Sequence, residues 1–297
     1  MAITYQELQI EGHTIAVNAC NEAADGLPAV FIHGILTSIH FWNEDAMSFF
    51  TERGPWYALS LPGHYPARLP SGFRRDDLAP ETIARVLTAA VRQLVGDRPV
   101  LLVGHSTGGF AVLAMAAQTP ELAQAVISIS GFAQGRWGGP LRIMQDMARM
   151  GLPGALAFRL TNRLSGLNLG IFKWSTSMYT ADKRAYLSYP GLDSFMSVLL
   201  DSFRHTDQDA MLHYFNRMPD IDISDWLSRI TAPTLVMTGD SDIIVPPQQS
   251  SLIAQQVPYA ELALIQGAGH MPMAERREQY ESIIANWVTD VLDGVQV

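Results

Sequence analysis

The chain carries a single cysteine, Cys20. An intrachain disulfide framework is excluded, and a reducing compartment is the better match. Charge is sparse: Asp, Glu, Lys and Arg make up 16% of the 297 residues. Basic residues are the scarcer sign, 20 against 29 acidic, for a formal charge of −9. With no Lys/Arg block, nucleic acid is a poor partner, and an anionic membrane surface is little better. Long apolar runs are missing too. No stretch reaches the roughly 18 residues of a membrane span. The opening MAITYQELQIEGHTIAV lacks the basic region and apolar stretch of a secretory signal. These absences point to a cytoplasmic location. Repeats and low-complexity tracts are also lacking. Apolar residues, at 48%, are abundant enough for a sizeable core, which argues against global disorder.

The length suits one large α/β domain, or one with an inserted subdomain. Short apolar runs alternate with helical patterns, which predicts a mostly parallel sheet flanked by helices. Tyr5 to Ile10 and His13 to Asn18 flank Glu11-Gly12 and read as an opening hairpin. Strands are predicted at Pro28 to His33, Trp56 to Leu61, Pro99 to Gly104, Ala125 to Ser130, Thr234 to Gly239 and Leu262 to Ile265. Helices are predicted at Leu78 to Leu94, Phe110 to Ala117 and Arg277 to Leu292. Between Phe132 and Ile230 no convincing strand occurs. Helical patterns, Gly/Pro breaks, aromatics and seven of the thirteen methionines gather there. We read residues 133–230 as an inserted helical cap on a core made of 1–132 and 231–297. Part of its apolar content fills its own core. The rest would line a pocket, where Met packs adaptably.

The stretch Val103-Gly104-His105-Ser106-Thr107-Gly108-Gly109-Phe110 follows an apolar strand and precedes a helix. It fits G-x-S-x-G, a sharp strand-to-helix turn that lifts a serine above a sheet, with Gly104 and Gly108 giving clearance. A serine hydroxyl is a poor nucleophile until a base takes its proton, and the base must be held in the right tautomer. Gln266-Gly267-Ala268-Gly269-His270-Met271-Pro272 offers an imidazole on a short loop after a strand. Asp240 and Asp242 both follow the strand Thr234 to Gly239. The N–H of Thr107, directly after the serine, is a candidate oxyanion donor.

At Gly239-Asp240-Ser241-Asp242-Ile243-Ile244-Val245-Pro246 the chain resembles the α/β-hydrolase family, with its strand-G-x-x-D-x-x-V-P pattern. The resemblance runs from Tyr5 to about Leu292. It implies the α/β-hydrolase fold with an inserted cap. It also implies a triad in the order Ser106, Asp242, His270, with Asp240 left as a turn former. His33-Gly34-Ile35 resembles the family's HG-x loop, which implies the Ile35 N–H as the second oxyanion donor, with His33 and Gly34 shaping the loop. One departure stands out. In Ser60-Leu61-Pro62-Gly63-His64-Tyr65, Ser60 replaces the family's usual Asp, and His64-Tyr65 stands where a residue and a glycine are usual.

The resemblance implies a serine hydrolase, a carboxylesterase acting on a small to medium apolar ester through an acyl-enzyme. Ser106 argues against the branches with an aspartate nucleophile. Acyl transfer, lyase chemistry and C–C bond hydrolysis on the same triad stay open, as does a ligand-binding receptor on the same scaffold. No metal or organic cofactor is implied, and the oligomeric state is not legible. His13, His40, His64, His205 and His213 read as structural or surface residues. Arg136 and Trp137 lie near the start of the cap and could approach the pocket.

Overall fold

The computed structural model describes residues 3–42, 49–50 and 53–293. Strands β1 (Thr4–Ile10) and β2 (His13–Cys20) form the opening hairpin. Both turn residues, Glu11 and Gly12, have positive φ, at 51° and 82°. Positive φ at both positions is the mark of a type I′ turn, whose twist matches that of the flanking strands. β3 (Ala29–Ile32), β4 (Trp56–Leu59), β5 (Val100–His105), β6 (Ala123–Ile129), β7 (Thr234–Gly239) and β8 (Ala260–Ile265) complete an eight-stranded sheet. Its order is β1-β2-β4-β3-β5-β6-β7-β8. β2 pairs antiparallel with β1 and β4, and every other pairing is parallel.

The central strands are buried on both faces, so they read as continuous apolar runs. Their side chains still alternate. Val30, Ile32, Val100 and Leu102 enter one core. Ala29, Phe31, Leu101 and Val103 enter the other. The first core is covered by helices α1 (Pro80–Val95) and α2 (Thr107–Gln118). In α1, Ile83, Leu87, Ala90 and Val91 repeat at helical spacing, and Pro80 starts the helix where no N–H is needed. The alanine-rich α2 is buried along nearly its whole length.

Between β6 and β7 the chain makes α3 (Gly139–Arg149), α4 (Gly151–Ser165), α5 (Leu169–Ser177), α6 (Lys183–Leu187), α7 (Leu192–His205) and α8 (Gln208–Arg217). After β7 come α9 (Pro247–Gln256) and, past β8, α10 (Pro272–Glu275) and α11 (Arg277–Val288). Tyr280, Ile284, Trp287 and Val288 of α11 fill the second core. No described helix is long and apolar enough to cross a membrane.

Two helix boundaries differ from the sequence expectation by three residues or more. α2 begins at Thr107, three residues earlier than the apolar pattern predicts. Gly108 and Gly109 lie in this added turn, where the helix start packs closely against backbone. A Cβ on Gly108 would lie 2.1 Å from the Ile32 carbonyl oxygen. The closing helix ends its regular course at Val288, and Thr289–Asp293 widens into a π turn.

Candidate active site

In a parallel sheet, loops at the carboxyl ends of neighbouring strands share one rim. The β3, β5, β7 and β8 loops meet there. Registers Ile32 to Gly104 and Gly239 to Ile265 bring the strand ends to matching depth.

Ser106 sits directly between β5 and α2 with φ +55° and ψ −116°. Such a backbone costs an L-residue about 1–3 kcal/mol and persists only where its surroundings enforce it. Here the Ser106 N–H donates to the Ile129 carbonyl at 2.8 Å, and the Phe110 N–H donates to the Ser106 carbonyl at 3.0 Å. The flanking glycines are sterically required. A Cβ on Gly104 would lie 2.1 Å from the Gly108 carbonyl oxygen.

His270 Nε2 lies 2.9 Å from Ser106 Oγ, and His270 Nδ1 lies 2.7 Å from Asp242 Oδ2. Ser106, Asp242 and His270 are each 3% exposed. The other Asp242 oxygen, Oδ1, accepts from the Ile244 N–H at 2.8 Å and the Val245 N–H at 3.0 Å. A carboxylate can only accept, so Nδ1 of His270 carries the proton and Nε2 turns its lone pair to the serine. Asp240 is not brought to the histidine. Its Oδ1 accepts from the Gly267 N–H and from Ser241 Oγ, closing the turn.

The His270 loop is held by a residue the sequence reading missed. Glu275 is buried and accepts from the N–H groups of Ala181, Asp182, Gly269 and Met271. One carboxylate thus ties the histidine loop to the segment after α5. The His270 N–H also donates to the Tyr179 carbonyl at 3.0 Å. From below, His105 Nε2 donates to the His270 carbonyl at 2.9 Å, and the His105 ring stacks on Phe41 at 5.0 Å.

The HG-x loop is fixed by its own histidine. His33 Nε2 accepts from the Leu61 N–H at 3.1 Å, so Nδ1 carries the proton and donates to the Gly34 carbonyl at 2.8 Å. Thr37 Oγ1 donates to that carbonyl as well, at 2.9 Å, and Leu36 takes a left-handed φ of +59°. Among the described residues, neither the Ile35 nor the Thr107 N–H meets a protein acceptor. Ser60 has a role of its own at the departure from the family pattern. It donates to and accepts from the Ala16 backbone on β2. His64 is buried, edge-on to both His33 and Tyr214.

Burial pushes the His33 imidazole down to about 4 and that of His105 down to about 3. Burial also holds His64 well below its usual value. An unfolded imidazole titrates near 6.5. Below that pH the unfolded chain takes up protons that the folded one refuses, so acid favours unfolding. The stability from these rings is complete above about 6.5. It is lost as pH falls to about 4 for His33 and about 3 for His105. The urea midpoint is expected to drop between about pH 7 and about pH 4.5, and less steeply in His33→Gln. Equal slopes in the two proteins would remove His33 from the account.

Above the serine lies a cavity of about 840 Å³, counted with its opening to solvent. Ile35, Ser106 and His270 border its base, while Met144, Phe172 and Leu199 come from the helices between β6 and β7. Arg136 is exposed and Trp137 is buried against Phe132 and Phe215. Neither lines the cavity.

A family model of the alpha/beta hydrolase fold matches residues 28–276. The chain belongs to the α/β-hydrolase fold family. It is therefore an enzyme of the hydrolase class. RutD of Pseudomonas syringae pv. syringae (strain B728a), named as a carbamate hydrolase, is 26% identical over 257 residues, covering 85% of this chain and 90% of its own. The pimeloyl-[acyl-carrier protein] methyl ester esterase of Neisseria meningitidis serogroup C (strain FAM18) is 23% identical over 266 residues, covering 88% and 93%. In structure, the α/β hydrolase resembles esterase RhEst1 from Rhodococcus sp. ECU1013, with TM-score 0.75, 20% identity, and 98% and 100% of the two chains covered. The enol-lactonase from Burkholderia xenovorans LB400 gives TM-score 0.75 at 16% identity, covering 96% and 100%. At these identities the structural likenesses speak for the fold.

Proposed function

We propose that this α/β hydrolase is a serine esterase that cleaves carboxylic esters of small to medium apolar acyl groups through an acyl-enzyme. The observation that carries the reading is the relay from Asp242 to His270 to Ser106, at 2.7 and 2.9 Å, under a largely apolar cavity. Residues 133–230 would act as a helical cap that shapes this cavity over a core of 1–132 and 231–297.

In the first half-reaction, Ser106 Oγ attacks the ester carbonyl carbon as His270 Nε2 takes the hydroxyl proton. The carbonyl oxygen becomes an oxyanion that accepts from the Ile35 and Thr107 N–H groups. One such donor contributes roughly 3 kcal/mol to the transition state. Asp242 steadies the imidazolium. Collapse breaks the bond to the alkoxy oxygen, and His270 returns the proton to the leaving alcohol. Water then repeats the sequence on the acyl-enzyme, with His270 as base, and releases the acid and free Ser106. The esterase name of one sequence relative supports this reading.

The experiment is a p-nitrophenyl ester series of rising acyl length beside fluorophosphonate labelling, with the products analysed. Stoichiometric labelling on Ser106 and release of free acid are expected. Absence of labelling on folded protein would remove the nucleophile. A new ester in place of free acid would move the assignment to acyl transfer. Product without water uptake would move it to lyase chemistry.

A further inference from the structure

A second cavity adjoins the first. It spans about 630 Å³ with its opening, and Phe41, Tyr186, Phe195 and Met271 border both spaces. Beyond that partition its walls include Trp42, Tyr189, Leu192, Ala274 and Tyr280. Together with Phe41, Tyr186 and Phe195 of the partition, aromatic rings make up most of the lining. Its charged wall residue, Glu281, accepts from Arg277 at 2.7 Å, so the carboxylate is already paired.

The partition is fixed on one side and adaptable on the other. Phe41 is stacked on His105. The Tyr186 hydroxyl is 2.7 Å from Thr176 Oγ1 and donates to Met196 Sδ at 3.5 Å. Phe195 is only half-buried and touches Phe41 through a tilted contact at 6.3 Å. Met271 is half-buried, and its unbranched thioether adapts to what lies beside it. It directly follows His270. A chain attached to an ester at Ser106 would therefore meet the movable side of the wall.

We propose that the second cavity is a binding subsite for the far end of a linear apolar chain carried by the ester at Ser106, entered past Met271 and Phe195. The inference rests on the serine-esterase reading for the identity of that ester. An alkyl chain can belong to the acid or to the alcohol, and both present the same chemistry to these walls. Each methylene buried there raises kcat/KM about fourfold.

The test measures kcat/KM for acyl esters from butyrate to decanoate with one alcohol, and for butyrates with alkyl alcohols from ethyl to decyl. Wild type is compared with Ala274→Phe, which fills the second cavity, and Phe195→Ala, which opens the partition. In one of the two series, Ala274→Phe is expected to lower the long-to-short ratio at least tenfold and Phe195→Ala to raise it. The responding series identifies the acyl or the alkoxy chain. Met273 also borders the second cavity, and Met273→Trp replaces Ala274→Phe if that protein does not fold. Ratios unchanged in both series, with Ser106-dependent butyrate hydrolysis intact, overturn the subsite and leave the esterase reading standing.

A binding readout is independent of turnover. Decanoic acid is expected to perturb tryptophan fluorescence in wild type and much less in Trp42→Phe, while butyric acid leaves both unchanged. If no ester is hydrolysed but this difference appears, the subsite stands and the esterase reading falls. If decanoic acid perturbs both proteins alike or neither, the subsite falls.

Discussion

Ser106→Ala is expected to lower kcat by about 10⁵–10⁶-fold on any ester the wild-type protein hydrolyses. The size follows from the geometry. Ser106 Oγ is the hydroxyl facing His270 Nε2, at 2.9 Å. Without it the imidazole has no nucleophile to activate. What would survive is binding and the proposed backbone donors at Ile35 and Thr107; such elements leave a residual 10³–10⁴-fold over water in comparable sites. The fold should tolerate the change. The strained φ of +55° is enforced by backbone hydrogen bonds to Ile129 and Phe110, and these do not involve the hydroxyl. Alanine keeps the same Cβ, so the melting temperature should move little. The check is kcat on a p-nitrophenyl ester, with fluorophosphonate titration of active sites to exclude wild-type carry-over. A loss under tenfold, in a protein that melts like wild type, would mean another group is the nucleophile.

Much of this site was legible because its residues are bound to local turn chemistry. The clearance around Ser106 is written as Gly104 and Gly108, and the required space is backbone against backbone. The opening hairpin was legible from two strand-like runs flanking Glu11-Gly12, and Gly12 suits the positive φ it takes. Glu275 was not legible. Its role comes from amides of Ala181, Asp182, Gly269 and Met271, which only the folded chain gathers. A glutamate closing a one-turn helix gives no local sign of that. The cavity lining was hidden by a different mechanism. Phe172 and Trp174 share α5, two residues apart, and so point to nearly opposite sides of the helix. Phe172 lines the cavity, whereas Trp174 is 64% exposed. Composition marks such a segment as apolar without saying which face turns inward. Met144 and Met150 divide in the same way, one on the cavity wall and the other in solvent.

Asp242→Asn is expected to lower kcat by about 10⁴-fold, while Asp240→Asn stays within a few-fold of wild type. The asymmetry comes from which atoms each carboxylate serves. Asp242 Oδ1 accepts two backbone N–H groups, from Ile244 and Val245. An asparagine there must keep its carbonyl oxygen at that position, because an amide nitrogen would face two donors. Its NH₂ then faces His270 Nδ1, which has to accept. The ring proton moves to Nε2 and points at Ser106, so the imidazole can no longer take the hydroxyl proton. The site would look intact and carry the wrong tautomer. Asp240 sits otherwise. Its Oδ1 accepts from the Gly267 N–H and Ser241 Oγ, and an asparagine carbonyl does the same. The change removes a charge near the loop without altering the relay. Measuring kcat and melting temperature for both variants separates the effects. Equal losses in kcat at equal stability would take Asp242 out of the relay. A larger loss for Asp240→Asn would hand the role to the turn residue.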